Sequence, residues 1–354
     1  MSASGAASAA PGALATRAAR WLWSGAPAAR LVRLPLVPLA ALYGAAVRLR
    51  AAVYRAGWRP VARLPLPTVA VGNLSVGGTG KTPLAAWIAH YYVARGAIPG
   101  ILLRGYGEDE PLVHARLVPQ GIVVADPDRP AAARAAAARG ADVLVLDDAY
   151  QLLGVGRDLN IAVLSADSVG GSVWPLPAGP WREGADALDR ADLIVVTRKR
   201  APGATAERLA TWLARRRPQT PVCLAHLAVA ELVGMQSGTA RELTGLAGRP
   251  VVAAAGIADP ESFAAQLEAC GARVQLQAYQ DHHRYGPGDV ARLARAAAAG
   301  DYVVVTEKDA VKLRGRWPGD APEPLVAVLA VRWERNGAAL EQALDAVLAP
   351  AARA

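Results

Sequence analysis

Short apolar runs set off by glycines, each followed by a longer stretch with helical spacing, recur along the chain and predict strands alternating with helices. Thr68 to Gly72 is a β-type run, and the glycine-rich segment after it leads into a helix over Pro83 to Arg95. Further β-type runs follow at Gly100 to Leu103, Gly121 to Ala125, Val143 to Leu146, Ile161 to Leu164 and Leu193 to Thr197, with Ala-rich helical stretches such as Ala131 to Arg139 between several. Thr205 to Arg217 reads as another helix with Thr205 as its N-cap. Val222 to Val233 looks extended and is expected to serve as a linker. A second series then begins with the strand Pro250 to Ile257, continues through the helix Pro260 to Cys270 and reaches the strand Tyr302 to Thr306.

Such alternation predicts an α/β fold: a mostly parallel sheet with helices on both faces, plus a second, smaller α/β domain joined by a β linker. The expected boundaries are a mobile amino tail over 1–29, a core over 30–221, a linker over 222–249 and the smaller domain with a carboxy-terminal helix over 250–354. A cleft between two lobes is where a ligand is expected.

Near the amino end the pattern changes. Residues 1–20 are rich in Ala, Ser and Gly and lack the apolar run of a secretory signal. The uncharged stretch Leu34 to Val47, closed by Arg48 and Arg50, is too short for a hydrocarbon core of about 30 Å at a rise of about 1.5 Å per residue. It suits a helix lying on a membrane surface, with Trp21, Trp23, Tyr43, Tyr54 and Trp58 among arginines at headgroup depth. An ordinary amphipathic helix packed on the domain is the alternative.

Composition adds three constraints. The 354 residues are 53% hydrophobic but only 5% aromatic, which indicates a globular core built from Ala, Leu and Val. A net charge of +9, from 39 Lys and Arg against 30 Asp and Glu, favours anionic partners. No basic stripe interleaved with aromatics is present, so nucleic acid is not an expected partner. Cys223 and Cys270 show neither metal-site spacing nor the density of a disulfide scaffold, and read as small buried hydrophobes in a reducing compartment.

The strongest chemical signal is Ser75-Val76-Gly77-Gly78-Thr79-Gly80-Lys81-Thr82, which lies between the first strand and its helix. It matches a P-loop except that Ser75 stands where the strict pattern has its first Gly. Three glycines let the backbone wrap phosphates with its N–H groups inward, and the helix amino end adds positive partial charge. Lys81 is expected at the β and γ phosphates of ATP and Thr82 at Mg²⁺. A carboxylate at a neighbouring strand end completes such a site, and Asp147 or Asp148 supplies it. The sheet is therefore expected to be of P-loop NTPase type.

A hydroxyl that accepts a phosphoryl group loses a proton, so a carboxylate or imidazole in the cleft is needed. Asp109, in the run Arg104 to Pro111, and His282, in the run Gln280 to Tyr285, are the candidates. Taken singly, each also reads as a turn, surface or packing residue.

The order of these segments resembles the tetraacyldisaccharide 4′-kinases of lipid A assembly. The matching pieces are LPLVPLAALYG, VGNLSVGGTGKTP, RGYG, EDEP, VLDDAYQ with RDLNI, LPAGPWRE, AGIADPESF, DHH and VTEKDAVK, from about Leu34 to Lys312. This resemblance implies transfer of the ATP γ-phosphate to the 4′-hydroxyl of tetraacyldisaccharide 1-phosphate, with Mg²⁺, by a peripheral or monotopic protein at the cytoplasmic face of the bacterial inner membrane. It implies that Asp109 and His282 are the acid-base pair, and that Lys81, Thr82, Asp147 and Asp148 are the nucleotide and metal positions. Arg182, Glu183 and Glu307 to Asp309 align with other cleft motifs. Two departures stand out: Leu152 and Ala149 replace the histidine and glycine of the usual DDGFQH, and Glu108 follows Gly107 without the usual spacer.

Two other readings remain open on the residues alone. One is a P-loop ATPase switch for metal insertion or protein targeting, although Val76 occupies the position of the signature lysine of that class. The other is a kinase for a soluble sugar or cofactor precursor. Oligomeric state is not legible.

Overall fold

The structure, a computed structural model, describes residues 18–105 and 109–349. Its first segment is helical over residues 18–22, then α1 (Pro27–Val32), a 3-10 turn (Leu34–Leu36) and α2 (Val37–Arg55). The mobile tail expected over 1–29 is thus corrected for residues 18–29: Ala29 is buried, and Trp23 Nε1 donates to the Pro177 carbonyl at 3.0 Å. The remainder of that tail lies outside the described residues. The helical run Pro27–Arg55 spans 29 residues and is long and apolar enough to cross a bilayer by length and composition. One face of α2, with Ala40, Gly44 and Ala51, is buried on the protein, while Leu39, Leu42 and Leu49 are exposed.

Next come β1 (Thr68–Asn73), α3 (Lys81–Val93), β2 (Pro99–Leu103), α4 (Asp109–Leu117), β3 (Ile122–Ala125), α5 (Arg129–Ala138), β4 (Val143–Leu146), β5 (Leu159–Ser165), β6 (Leu193–Arg198) and α6 (Gly203–Arg216). The chain continues with β7 (Val222–Gly234), β8 (Ala240–Arg241), β9 (Pro250–Ala255), α7 (Pro260–Ala269), β10 (Arg273–Ala278), α8 (Pro287–Ala298), β11 (Tyr302–Thr306), α9 (Glu307–Leu313), β12 (Leu325–Arg335) and α10 (Gly337–Leu348). Helix α6 starts two residues before Thr205, and Pro202 is its N-cap. A proline there has no N–H and an extended backbone, so the helix opens at Gly203 and Thr205 falls inside its first turn.

Among the described residues, all strands belong to one twelve-stranded sheet in the order β10-β9-β11-β12-β7-β6-β5-β1-β4-β2-β3, with β8 beside β7. Pairing is parallel except at β7 with β12 and β7 with β8. The stretch expected as a linker is therefore a long strand within the sheet: β7 runs parallel to β6 along one edge and antiparallel to β12 along the other. Its alternation of buried and half-buried positions lets it pack on both sides, which extended sequence alone does not reveal.

Strands β1, β4, β5 and β6 are buried almost throughout, because helices cover both faces. Leu84 and Ile88 of α3 pack with Val69, Val145 and Ile161 on one face, and Leu340 and Leu344 of α10 join the same cluster. Fully burying such a leucine contributes about 2 kcal/mol. Tyr91 Oη also donates to the Glu341 carbonyl at 3.0 Å. The carboxy-terminal helix, grouped by sequence with the second series, thus packs on the first. Both cysteines are free, and burial pushes the Cys223 thiol up to about 12, leaving it a small apolar group.

Strand β1 sits between β5 and β4; the chain leaves β1 toward β2 and leaves β4 toward β5, in opposite directions across the sheet. In open α/β sheets a ligand crevice forms outside the carboxyl strand ends at such a point. The segments after β1 and β4 meet there.

Candidate active site

The loop after β1 is held by side chains behind it. The buried Asn73 amide donates to the Ser75 carbonyl at 2.6 Å and to Thr79 Oγ1 at 2.9 Å. Thr197 Oγ1 donates to the Thr79 carbonyl at 2.8 Å and Lys199 Nζ to the Gly78 carbonyl at 2.8 Å. With those carbonyls engaged, the oxygens that would repel phosphate are occupied. Gly80 has a left-handed φ of +88°, which favours glycine, and a Cβ would lie 2.1 Å from Leu227 Cδ1, so that side chain would have to shift. Val76 N–H donates to the Pro180 carbonyl at 2.8 Å and Arg182 N–H to the Leu74 carbonyl at 2.6 Å, which ties the loop to the Pro180–Glu183 segment.

Lys81 and Thr82 open α3. The two aspartates after β4 separate at this point. Asp147 is buried, hydrogen-bonded to Thr82 and to His114, whose Nε2 lies 3.0 Å away, and it accepts the Asp148 N–H at 2.9 Å. Burial pushes its carboxyl upward, but the bonds from His114 and Thr82 and the Lys81 charge outweigh that and hold it below the usual range. Asp148, with a left-handed φ of 53°, turns toward the loop instead: its Oδ1 lies 3.5 Å from Lys81 Nζ and 3.1 Å from Arg182 Nη1. A Thr hydroxyl beside an ionised carboxylate offers hard oxygens, the donor set Mg²⁺ takes when phosphates and water complete its shell. Among the described residues, no group of three or more His, Cys, Asp or Glu is arranged as an all-protein metal cage.

Of the other candidates, His282 faces this loop across a cavity of about 920 Å³, whose lining includes Gly77 to Thr82, Asp147, Asp148, Glu110 and His282 itself, and Asp109 lies behind that histidine. Asp109 begins α4 and is 4% exposed; both of its carboxylate oxygens lie 3.1 Å from His282 Nδ1. Lys312 Nζ stands 3.0 Å from Oδ2. Burial raises the Asp109 pKa, yet the hydrogen bond from His282 and the adjacent Lys312 ammonium prevail and keep its carboxyl well below the usual range. The bond to Asp109 raises the His282 pKa above 6.5, against burial. The chain therefore unites two residues 173 positions apart.

His282 adopts a left-handed φ of 58°, with its N–H donating to the Gly256 carbonyl at 3.1 Å. Gly256 N–H in turn donates to both oxygens of Asp309, 3.1 Å each. The neighbouring His283 points elsewhere, stacked on Tyr279 and 2.9 Å from Asp289. Glu183 is paired with Arg190 at 2.8 Å and bonded to Gln151 at 3.0 Å, so it supports Arg182 and Gln151 from behind the cavity. Glu307 lines the cavity, where burial pushes its carboxyl up to about 8.

Several site residues escape a reading of the sequence. His114 against Asp147 and Lys199 behind the loop act through tertiary contacts, as do Lys308, already within the aligned run Glu307 to Asp309, and Lys312 opposite α4. A signal exists only for the last two, which stand four apart on α9 and so share one helix face. Arg129 is also buried at the cavity, its Nη1 donating to the Leu103 carbonyl at 2.7 Å.

The sequence profile described as Tetraacyldisaccharide-1-P 4′-kinase matches residues 32–349. The tetraacyldisaccharide 4′-kinase of Anaeromyxobacter dehalogenans (strain 2CP-1 / ATCC BAA-258) is 39% identical over 93% of this chain and 94% of its own. That of Geobacter sulfurreducens is 38% identical over 91% and 95%. Among solved structures, LpxK from Aquifex aeolicus in complex with ATP superposes with a TM-score of 0.70 at 26% identity, covering 90% of this chain and 99% of that one.

Proposed function

The chain belongs to the tetraacyldisaccharide 4′-kinase family, and from that premise we propose how its residues divide the reaction. It is an ATP-dependent kinase that transfers the γ-phosphate to the 4′-hydroxyl of tetraacyldisaccharide 1-phosphate in lipid A biosynthesis. The observation that carries the assignment of roles is the cavity whose one wall is the Gly77–Thr82 loop and whose other wall presents His282.

In our reading the amides of Gly77, Gly78 and Gly80 and the Lys81 ammonium hold the β and γ phosphates, and Arg182 adds a second cation beside Asp148. Thr82 and Asp147 would hold Mg²⁺, which when bound spreads the negative charge of the phosphates. Asp148 instead aligns Lys81 and Arg182, the two cations it touches. The ionised Asp109 accepts the His282 Nδ1–H and fixes the tautomer, so Nε2 is the basic atom on the cavity side. As the 4′-oxygen bonds to the γ-phosphorus, its proton passes to His282 Nε2, the bond to the β,γ-bridging oxygen breaks, and ADP leaves. Asp109 is too buried to reach the acceptor and acts through the imidazole.

We also place the protein at the cytoplasmic face of the inner membrane, in a monotopic arrangement. Because α2 is docked on the protein along Ala40, Gly44 and Ala51, with Arg48 paired to Asp186 at 3.1 Å, its outer leucines are left to meet lipid without the helix crossing. Tyr43 and Arg50 of the same helix line the cavity, which gives a lipid headgroup a short path inward.

The test is incubation of purified protein in detergent with γ-labelled ATP and tetraacyldisaccharide 1-phosphate. Label is expected on the lipid, with about a hundredth as much transferred by His282→Ala in the same time. Wild-type-like transfer by that variant, and by Asp109→Ala, refutes the acid-base assignment.

A further inference from the structure

Helix α9 faces the first turn of α4 with two lysines. Lys308 Nζ lies 3.1 Å from Glu110 Oε1, and Lys312 Nζ, one turn on, lies 3.0 Å from Asp109 Oδ2. The two pairs are not equivalent. Glu110 and Lys308 are each more than a quarter exposed, whereas Asp109 is 4% and Lys312 14% exposed. A buried ammonium is costly unless a counter-charge meets it, and the Lys312 ammonium, itself out of contact with water, faces the carboxylate that holds His282.

We infer that Lys312 is a positioning residue for phosphoryl transfer: it pins the Asp109 carboxylate and offsets part of its charge, so that the imidazole on its far side remains a neutral base. The inference rests on His282 as the base. An unopposed carboxylate at Nδ1 would stabilise the imidazolium and leave less free base near neutral pH. The ammonium pulls in the other direction, on the second oxygen of the same group. The charged groups around the pair are Lys308, Lys312 and Asp309 of α9, Glu110 of α4, and Asp281, whose Oδ1 is 4.0 Å from His282 Nε2. Asp309 is engaged by Gly256 and Thr306, which leaves Lys312 as the cation placed directly on Asp109.

The test is the pH dependence of kcat/KM for the lipid acceptor in Lys312→Met, Lys312→Arg and wild type. Lys312→Met is expected to move the acidic limb up by about one pH unit, to lose roughly tenfold at pH 7 and to recover to within about twofold at pH 9, with KM for ATP unchanged. Lys312→Arg is expected to restore the wild-type limb. In a His282→Gln background, Lys312→Met is expected to add less than about twofold, since the group it acts through is gone. If Lys312→Met does not fold, as judged by its melting temperature, Lys312→Gln is read in the same way. A limb superimposable on wild type, or an equal loss at pH 7 and pH 9, overturns the inference. If His282→Ala instead turns over like wild type, it is the identity of the base that fails.

Discussion

On one wall of the cleft, the proposed phosphate ligands are backbone amides and one ammonium within the contiguous stretch Ser75 to Thr82. On the other, Asp109, His282 and Lys312 come from two helices and a loop, brought together by a charged hydrogen bond and an ion pair. The first wall is braced by neutral hydrogen bonds from Asn73 and Thr197, and by Lys199. The second is framed by the His282 N–H on the Gly256 carbonyl, but its Asp109–His282–Lys312 contacts depend on which groups carry protons. Nucleotide binding in this protein should therefore be insensitive to pH and tolerant of changes across the cleft, while the transfer step should not be.

The hardest way to break that contrast is at Lys81. Lys81→Ala removes the ammonium from the phosphates, and transfer is expected to fall by about 10³ with weakened ATP binding, measured by labelled-lipid formation and equilibrium titration. His282→Ala is expected to lower kcat by about 10² while leaving ATP affinity within about twofold. A loss of both in equal measure would erase the distinction between the walls.

A milder probe is pH. Because the Asp109 bond raises the His282 pKa above 6.5, the neutral imidazole is lost as pH falls through that raised value. Each further unit of acid is expected to cost about tenfold in kcat/KM, whereas ATP affinity holds steady. The stability linkage has two parts. The lowered pKa of Asp109 gives stabilisation present above the usual carboxylate range and lost as pH falls through its folded value, and the His282 part fades as pH rises through its own.

The smallest effect concerns the frame of the second wall. Thr306 caps α9, its Oγ1 accepting the Asp309 N–H at 3.2 Å and donating to Asp309 Oδ2 at 2.6 Å. Thr306→Val is expected to cost about 1 kcal/mol of stability by thermal or denaturant unfolding, with a kcat loss of a fewfold as Lys312 loosens.

The first wall is legible in the sequence because its chemistry is local. Glycines at fixed offsets before Lys81 and Thr82, after a strand and before a helix, leave one physical reading, and Val143 to Leu146 announces the aspartates that follow. What sequence leaves open is their division, since it depends on Asp148 taking a left-handed backbone that turns it to Lys81 while Asp147 stays with Thr82. From spacing alone the second wall is legible only as single candidates, Asp109 and His282, because no spacing rule links positions so far apart; only the family resemblance pairs them. Lys312 looks like one more polar residue of a helical motif. Strand β7 reads as a linker for a related reason: a long strand shared by two half-sheets looks merely extended until its partners on both edges are known. The docking of α10 on α3 likewise depends on chain reversal, which local periodicity does not encode.

The division of labour between the two walls is tested most directly by equilibrium ATP binding to His282→Ala and Lys81→Ala, measured beside their single-turnover transfer rates. His282→Ala is predicted to bind ATP as wild type does while its transfer collapses, and Lys81→Ala to lose both. Parallel loss of binding and transfer in His282→Ala would contradict that division.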